Sequence, residues 1–162
     1  MIGASDIERS KFKKQALVDW EAILSARAKE LEPGGRFICI NFGIDENGRY
    51  LGNTGDKSMF ESFNRHWKGH LDSGIITEEE FISATFPQHY RTVEEFSQPF
   101  VGNDCLANKI GLKLNRIFTK LTKCPYRQDY ENNKATITPE EFAKEFIPTT
   151  RSWSETVFRS AL

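Results

Sequence analysis

The sequence predicts a mostly helical α/β domain, and three observations indicate this class. Apolar residues near the N-terminus recur every three or four positions, which is the period of an amphipathic helix. The run "RFICINFG" that follows is apolar without alternation, as in a strand covered on both faces. Three Thr-x-x-Glu motifs, "TEEE", "TVEE" and "TPEE", then mark helix starts. Short capped helices should therefore dominate the second half.

The composition is typical of one globular domain. A chain of 162 residues can bury a single core. Its 22 basic residues balance 23 acidic ones, so no general attraction to nucleic acid or to an anionic membrane is expected. No apolar run approaches the ~20 residues of a membrane span, and the N-terminus lacks the apolar core of a signal peptide. We expect a cytoplasmic protein without a membrane partner.

The first predicted helix is long and is followed directly by a strand. Pro33, Gly34 and Gly35 end the helix. Residues 36–43 form the predicted strand, buried on both faces. The apolar face of the helix comprises Ile7, Phe12, Ala16, Trp20, Ile23, Leu24, Ala28 and Leu31.

The loop "IDENGRYLGNTGD" resembles a calcium loop only superficially. With Gly48 at loop position six, Gly43 falls at position one and Thr54 at position twelve, where the cation needs carboxylates. A polar surface loop is the better interpretation.

Further helices are predicted from residue 57 onward. The first runs to about residue 71 and is closed by Ser73 and Gly74. Its apolar face comprises Met59, Phe60, Phe63, Trp67 and Leu71. The three capping boxes place later helix starts at Thr77, Thr92 and Thr138, and the last adds Pro139 at the first helical position.

The segment "GLKLNRIFTKLTKCP" is ambiguous between strand and amphipathic helix. On a helix, its basic residues would form a stripe, which is typical of a solvated face and only weakly indicative of nucleic acid. On a strand they would be divided between both faces, so we expect no nucleic-acid partner. The basic residues are Lys109, Lys113, Arg116, Lys120 and Lys123.

No motif for a catalytic group, a metal or a phosphate is found. The sequence contains neither Gly-x-Gly-x-x-Gly nor a P-loop. His66 and His70 are four residues apart but lack a further ligand motif, so a surface pair is the better interpretation. No serine has the flanking glycines of a nucleophile elbow. From the residues alone, no reaction can be assigned.

The order of the segments resembles the SABATH family of S-adenosylmethionine-dependent carboxyl methyltransferases, especially its bacterial members. The resemblance rests on the colinear set "QALVDWEAILSARAKELEPGGRFICINFG", "HLDSGIITEEEF", "PQHYRTVEEFSQPF", "GLKL" and "TRSWSETVF". It implies a Rossmann-like class I methyltransferase sheet, present only in its late strands, with a helix-rich substrate cap. Residues 36–43 would be the fifth strand, residues 56–96 cap helices and residues 112–122 the sixth strand.

The resemblance further implies that the chain is a single C-terminal fragment. Residues 1–56 would be a late helix-strand unit, residues 57–110 the helical cap, residues 111–125 a late strand and residues 138–162 a cap helix. S-adenosylmethionine is the cofactor that the family implies for the parent enzyme, but the residues that bind it would be absent from this chain. We therefore expect this chain alone to be inactive.

The family reaction transfers a methyl group to a small-molecule carboxylate and needs no general base, because an ionised carboxylate is already a nucleophile. We expect no catalytic residue here, and no metal, because Ile82, Ala84 and Thr85 align with the ligands that some members use. Homodimer formation is left open. An alternative is a methyltransferase-like binding module without catalytic activity. The implied substrate-binding residues, which could equally be core residues, are Met59, Phe60, Tyr90, Trp153 and Val157.

Overall fold

Seven α-helices and two short strands form in the part of the chain that the computed structural model describes, residues 4–53, 58–84 and 88–160. A 3-10 turn, Gln98–Phe100, follows α4. In chain order the elements are α1 (Asp6–Glu30), β1 (Gly43–Ile44), α2 (Met59–Asp72), α3 (Glu78–Ser83), β2 (Arg91–Thr92), α4 (Val93–Ser97), α5 (Leu106–Lys109), α6 (Pro125–Asn132) and α7 (Pro139–Ser160).

The chain divides into two units. The first unit comprises Met1–His66 and Gln88–Lys120, and the second comprises Trp67–Pro87 and Leu121–Leu162. The predicted boundaries at residues 56 and 57 lie outside the described residues.

The predicted first helix is confirmed as α1. Ser5 begins it with a capping box, in which Glu8 N donates to Ser5 Oγ at 3.3 Å and Ser5 N donates to Glu8 Oε2 at 2.8 Å. Ser5 and Glu8 were not among the predicted capping boxes. Ala16, Trp20 and Leu24 are buried as predicted.

Two residues of the predicted apolar face of α1 are exposed. Ile7 is 71% exposed and Ile23 is 45% exposed. The buried residues follow one narrow line along the helix, Ala16, Trp20 and Leu24, and Ile7 and Ile23 lie off that line.

Within the predicted strand over residues 36–43, only Gly43 is paired in the structure, and residues 36–42 are exposed rather than buried. Only β1 is strand, and it pairs in parallel with β2, Gly43 opposite Arg91 and Ile44 opposite Thr92. Ile38 and Ile40 are 82% and 92% exposed. A strand needs hydrogen-bonding partners along its length, and among the described residues only the two residues of β2 pair with this segment.

The predicted strand over residues 112–122 does not form among the described residues either. This segment is neither strand nor helix, and Phe118 is 63% exposed. The basic residues between 113 and 123 therefore form no helical stripe. The Arg116 guanidinium instead lies 4.5 Å from the centroid of the Phe118 ring.

The predicted helices of the second half are confirmed. Thr77, Thr92 and Thr138 each accept from the backbone N–H of a Glu three residues on, at 3.2 Å. Each of these glutamates accepts in return from the backbone N–H of its threonine. Helix α2 ends at the predicted Ser73–Gly74 turn, where Gly74 has φ +72°.

Contacts between aromatic rings join α6 to α7 in the second unit. Tyr130 lies 4.8 Å from Phe142 between ring centroids, Phe142 stacks on Phe146 at 5.5 Å, and Tyr126 lies 5.9 Å from Phe146. Helix α7 continues through Pro148. None of the helices in the described part of the chain combines the length and the apolar character needed to span a bilayer.

We expect Leu24→Ala to lower the free energy of unfolding by about 2–5 kcal/mol, because Leu24 is 2% exposed and its truncation leaves a cavity. The matched control is Ile23→Ala on the same helix. It should change the free energy of unfolding little, because Ile23 is 45% exposed and alanine favours helix. Urea denaturation measures both, and equal losses would contradict the described packing of α1.

Candidate functional site

Five half-buried apolar and aromatic side chains lie close together in the first unit, and we call them the aromatic patch. The Tyr50 and Tyr90 rings stack, with centroids 5.5 Å apart and planes at 29°. Phe60 lies 6.3 Å from Tyr90 and 6.2 Å from Phe63 between centroids. Met59 completes the patch from the first turn of α2.

A glycine turn brings the start of α2 against the loop that follows β1. Tyr50 and Asn53 exchange backbone hydrogen bonds of 3.2 and 2.9 Å, and Met59 N donates to Gly52 O at 2.6 Å. Gly52 has φ +76°, and a Cβ there would lie 2.9 Å from Met59 Cε. The backbone conformation therefore favours glycine, and an added Cβ would also displace the Met59 side chain.

The segment that carries Tyr90 is held against α1. The Arg91 guanidinium donates to Ala16 O from Nε at 3.2 Å and lies 5.5 Å from the centroid of the Phe96 ring. Trp20 Nε1 donates to Phe96 O at 3.0 Å, and the two rings meet edge to face at 5.3 Å. These contacts determine where Tyr90 lies relative to α1.

Tyr90 is a neutral hydrogen-bond donor at physiological pH. Burial, with a smaller contribution from the neighbouring Tyr50, raises the pKa of Tyr90 to about 12. The Tyr90 hydroxyl donates to Gln88 Oε1. The patch therefore combines aromatic walls with a phenol and an amide at one edge, and it can hold an apolar ligand that carries a polar group.

The predicted substrate-binding residues fall into both units. Met59, Phe60 and Tyr90 belong to the aromatic patch. Trp153, which is 40% exposed, and Val157 lie on α7 in the second unit. Their role stays a prediction, as does that of the other three.

Sequence reasoning missed Tyr50 and Gly52 as parts of this site. They stand in the segment that was interpreted as a polar surface loop once a calcium site had been rejected, although a Tyr followed by the glycine turn "LGNTG" was a usable signal. In that loop, Asp45 Oδ1 accepts from Asn47 N at 2.9 Å and Arg49 N at 2.8 Å. The Asp45 carboxylate thus stabilises the turn itself.

Within residues 4–53, 58–84 and 88–160, no three or more His, Cys, Asp or Glu side chains are placed to hold a metal ion together. The His70 ring meets the Trp67 ring edge to face at 6.2 Å. Thr85, one of the positions aligned with metal ligands of the resembled family, lies outside the described residues.

Comparison with known proteins shows a family. A family model described as SAM-dependent carboxyl methyltransferase matches residues 4–162, nearly the whole chain. No curated protein and no solved structure matches the chain significantly.

The raised pKa of Tyr90 predicts a pH dependence of stability. Between pH about 10 and about 12 the unfolded chain has lost the Tyr90 proton while the folded chain keeps it. The free energy of unfolding should therefore fall as pH rises through this window. Tyr90→Phe should flatten the fall. Urea denaturation at a series of alkaline pH values measures it, and an unchanged slope in the variant would contradict the burial of Tyr90.

Proposed function

Because the chain belongs to the family of S-adenosylmethionine-dependent carboxyl methyltransferases, we propose that it forms the substrate-capping part of such an enzyme. The proposed substrate is a small-molecule carboxylic acid. The observation that carries this proposal is the aromatic patch, where Phe60 and Tyr90 lie 6.3 Å apart beside Tyr50.

The patch can supply what methyl transfer to a carboxylate requires. The ionised carboxylate oxygen is the nucleophile, and the cofactor supplies an electrophilic methyl group. Catalysis then depends on orienting the carboxylate and excluding water. Phe60, Tyr50 and Tyr90 would hold the apolar body of the acid. The Tyr90 hydroxyl, which keeps its proton at neutral pH, would exchange its bond to Gln88 Oε1 for one to a carboxylate oxygen.

We propose that the cofactor is not held at the β2–α4 connection. In this fold class the cofactor lies at a glycine-rich turn between a strand and the following helix. Here β2 runs directly into α4 through Thr92, with no glycine between them. We propose that the residues that bind the cofactor belong to another part of the enzyme.

Exposed apolar side chains support a sheet that extends beyond β1 and β2. Ile38, Ile40 and Phe42 are 82%, 92% and 68% exposed and lie directly before β1. An exposed apolar segment that continues a paired strand is suited to further strand pairing. We propose that residues 36–42 extend β1 within a Rossmann-like sheet, against strands of the cofactor-binding part.

The proposal is tested by calorimetry with S-adenosylmethionine on this chain and on the full translated product of its gene. We expect the full product to bind the cofactor and to convert small carboxylic acids to methyl esters, detected by mass spectrometry. A full product that never binds S-adenosylmethionine would contradict the proposal and leave the non-catalytic binding module as the better interpretation.

The role of the aromatic patch is tested in the same full product by Phe60→Ala. We expect kcat/KM for the preferred acid to fall by about tenfold, because the lost ring contact is worth roughly 1.5 kcal/mol or more. The matched control is Val101→Ala in the same unit, where Val101 is 70% exposed. Its kcat/KM should stay within about twofold of the wild type. Equal effects of the two variants would exclude the patch as the substrate site.

A further inference from the structure

A second concave site lies in the first unit, between α1 and the segment that carries β2 and α4. It is a cleft of about 290 Å³, and it shares no lining residue with the aromatic patch. Lys13, Lys14 and Leu17 line it from α1, and His89, Arg91 and Glu95 line it from the other side. We call this the basic cleft.

The single carboxylate of the basic cleft is already neutralised from within the protein. Glu95 Oε1 lies 2.8 Å from Lys13 Nζ, and Glu95 Oε2 lies 3.1 Å from His89 Nε2. Partial burial raises the pKa of Glu95, but the bonds from Lys13, from the Thr92 backbone and from His89 outweigh it and hold the pKa below its usual range. Glu95 therefore stays ionised, and its charge is matched by Lys13.

Two further cations remain in excess around the cleft. Among the described residues, no carboxylate forms an ion pair with Lys14 or Arg91. The Arg91 guanidinium uses Nε and Nη2 on Ala16 O. It has five N–H donors in total, so others stay available to a ligand.

The floor of the basic cleft is apolar. Ala16 is 7% exposed and Leu17 is half-buried beside it. A site with cations beside an apolar surface is complementary to a molecule with an anionic group on an apolar body.

We propose that the basic cleft binds a small organic anion, with its carboxylate or phosphate group against Lys14 and Arg91 and its apolar part on Ala16 and Leu17. The site is separate from the aromatic patch and does not depend on methyl transfer. Lys14 lies on α1 and Arg91 on β2, so the ligand would bridge two elements that Arg91 already joins through Ala16.

The test is an NMR titration of this chain, with the backbone amide shifts of Lys14, Leu17 and His89 as the readout. The probes are phenyl phosphate, benzoate and the neutral benzyl alcohol. We expect saturable shifts at these amides with at least one of the two anions, and the tighter anion identifies the preferred group. Absence of saturable shifts with both anions, or equal binding of benzyl alcohol, would overturn the proposal.

Two variants with opposite expected effects separate a specific site from general electrostatics. Lys14→Gln should raise the dissociation constant of the preferred anion by about fivefold. Glu95→Gln should lower it, because this change removes the one negative charge of the cleft. The matched control is Lys11→Gln, which makes the same charge change on an exposed position of α1 outside the cleft. Equal weakening by Lys11→Gln and Lys14→Gln would overturn the proposal.

Discussion

The contact between Trp20 and Phe96 is the interaction on which the first unit depends. Trp20 is 6% exposed, and its indole N–H is satisfied by the Phe96 carbonyl at 3.0 Å. A buried indole without such a partner would be costly. The contact joins two segments 76 residues apart in the sequence. Arg91 adds a second link to the same helix, because its guanidinium contacts both the Phe96 ring and the Ala16 carbonyl. Both sites include residues of the segment that these contacts hold in place. Tyr90 belongs to the aromatic patch, and His89, Arg91 and Glu95 line the basic cleft.

The helices could be predicted from the sequence because their signals are local. A threonine and a glutamate three residues on satisfy each other's backbone groups within one turn, and Thr77, Thr92 and Thr138 show this. The strands could not be predicted, because pairing is a property of two segments and apolar character is a property of one. Residues 36–43 have the composition of a buried strand, yet the described chain pairs them only at Gly43. Ile23 illustrates the same limit on α1. The helical period predicts which residues share a face of the helix, but not how much of that face the rest of the unit buries.

The candidate site could be predicted only in part, and its prediction did not rest on local signals like those of the helices. Met59, Phe60 and Tyr90 came from the resemblance, which positions segments in order, and not from any catalytic pattern. Tyr50 was missed because its contact with Tyr90 spans 40 residues and is formed by a loop that contains a tight glycine turn at Gly52. The basic cleft gave no sequence signal either, because Lys13 and Glu95 are ordinary surface residue types until α1 and α4 bring them within 2.8 Å. Local structure could be predicted from the sequence, whereas contacts between segments distant in the sequence could not.

Three consecutive residues, His89, Tyr90 and Arg91, lie in two different environments. Tyr90 stacks on Tyr50 in the aromatic patch, whereas His89 and Arg91 line the basic cleft against α1. In extended chain, neighbouring side chains point to opposite sides, and a shift by one position exchanges them. An insertion or deletion of one residue near this point would therefore place a cation among aromatic rings and a phenol among lysines. This segment should therefore tolerate substitutions but not insertions or deletions. Length variation among relatives should be confined to the loops on either side.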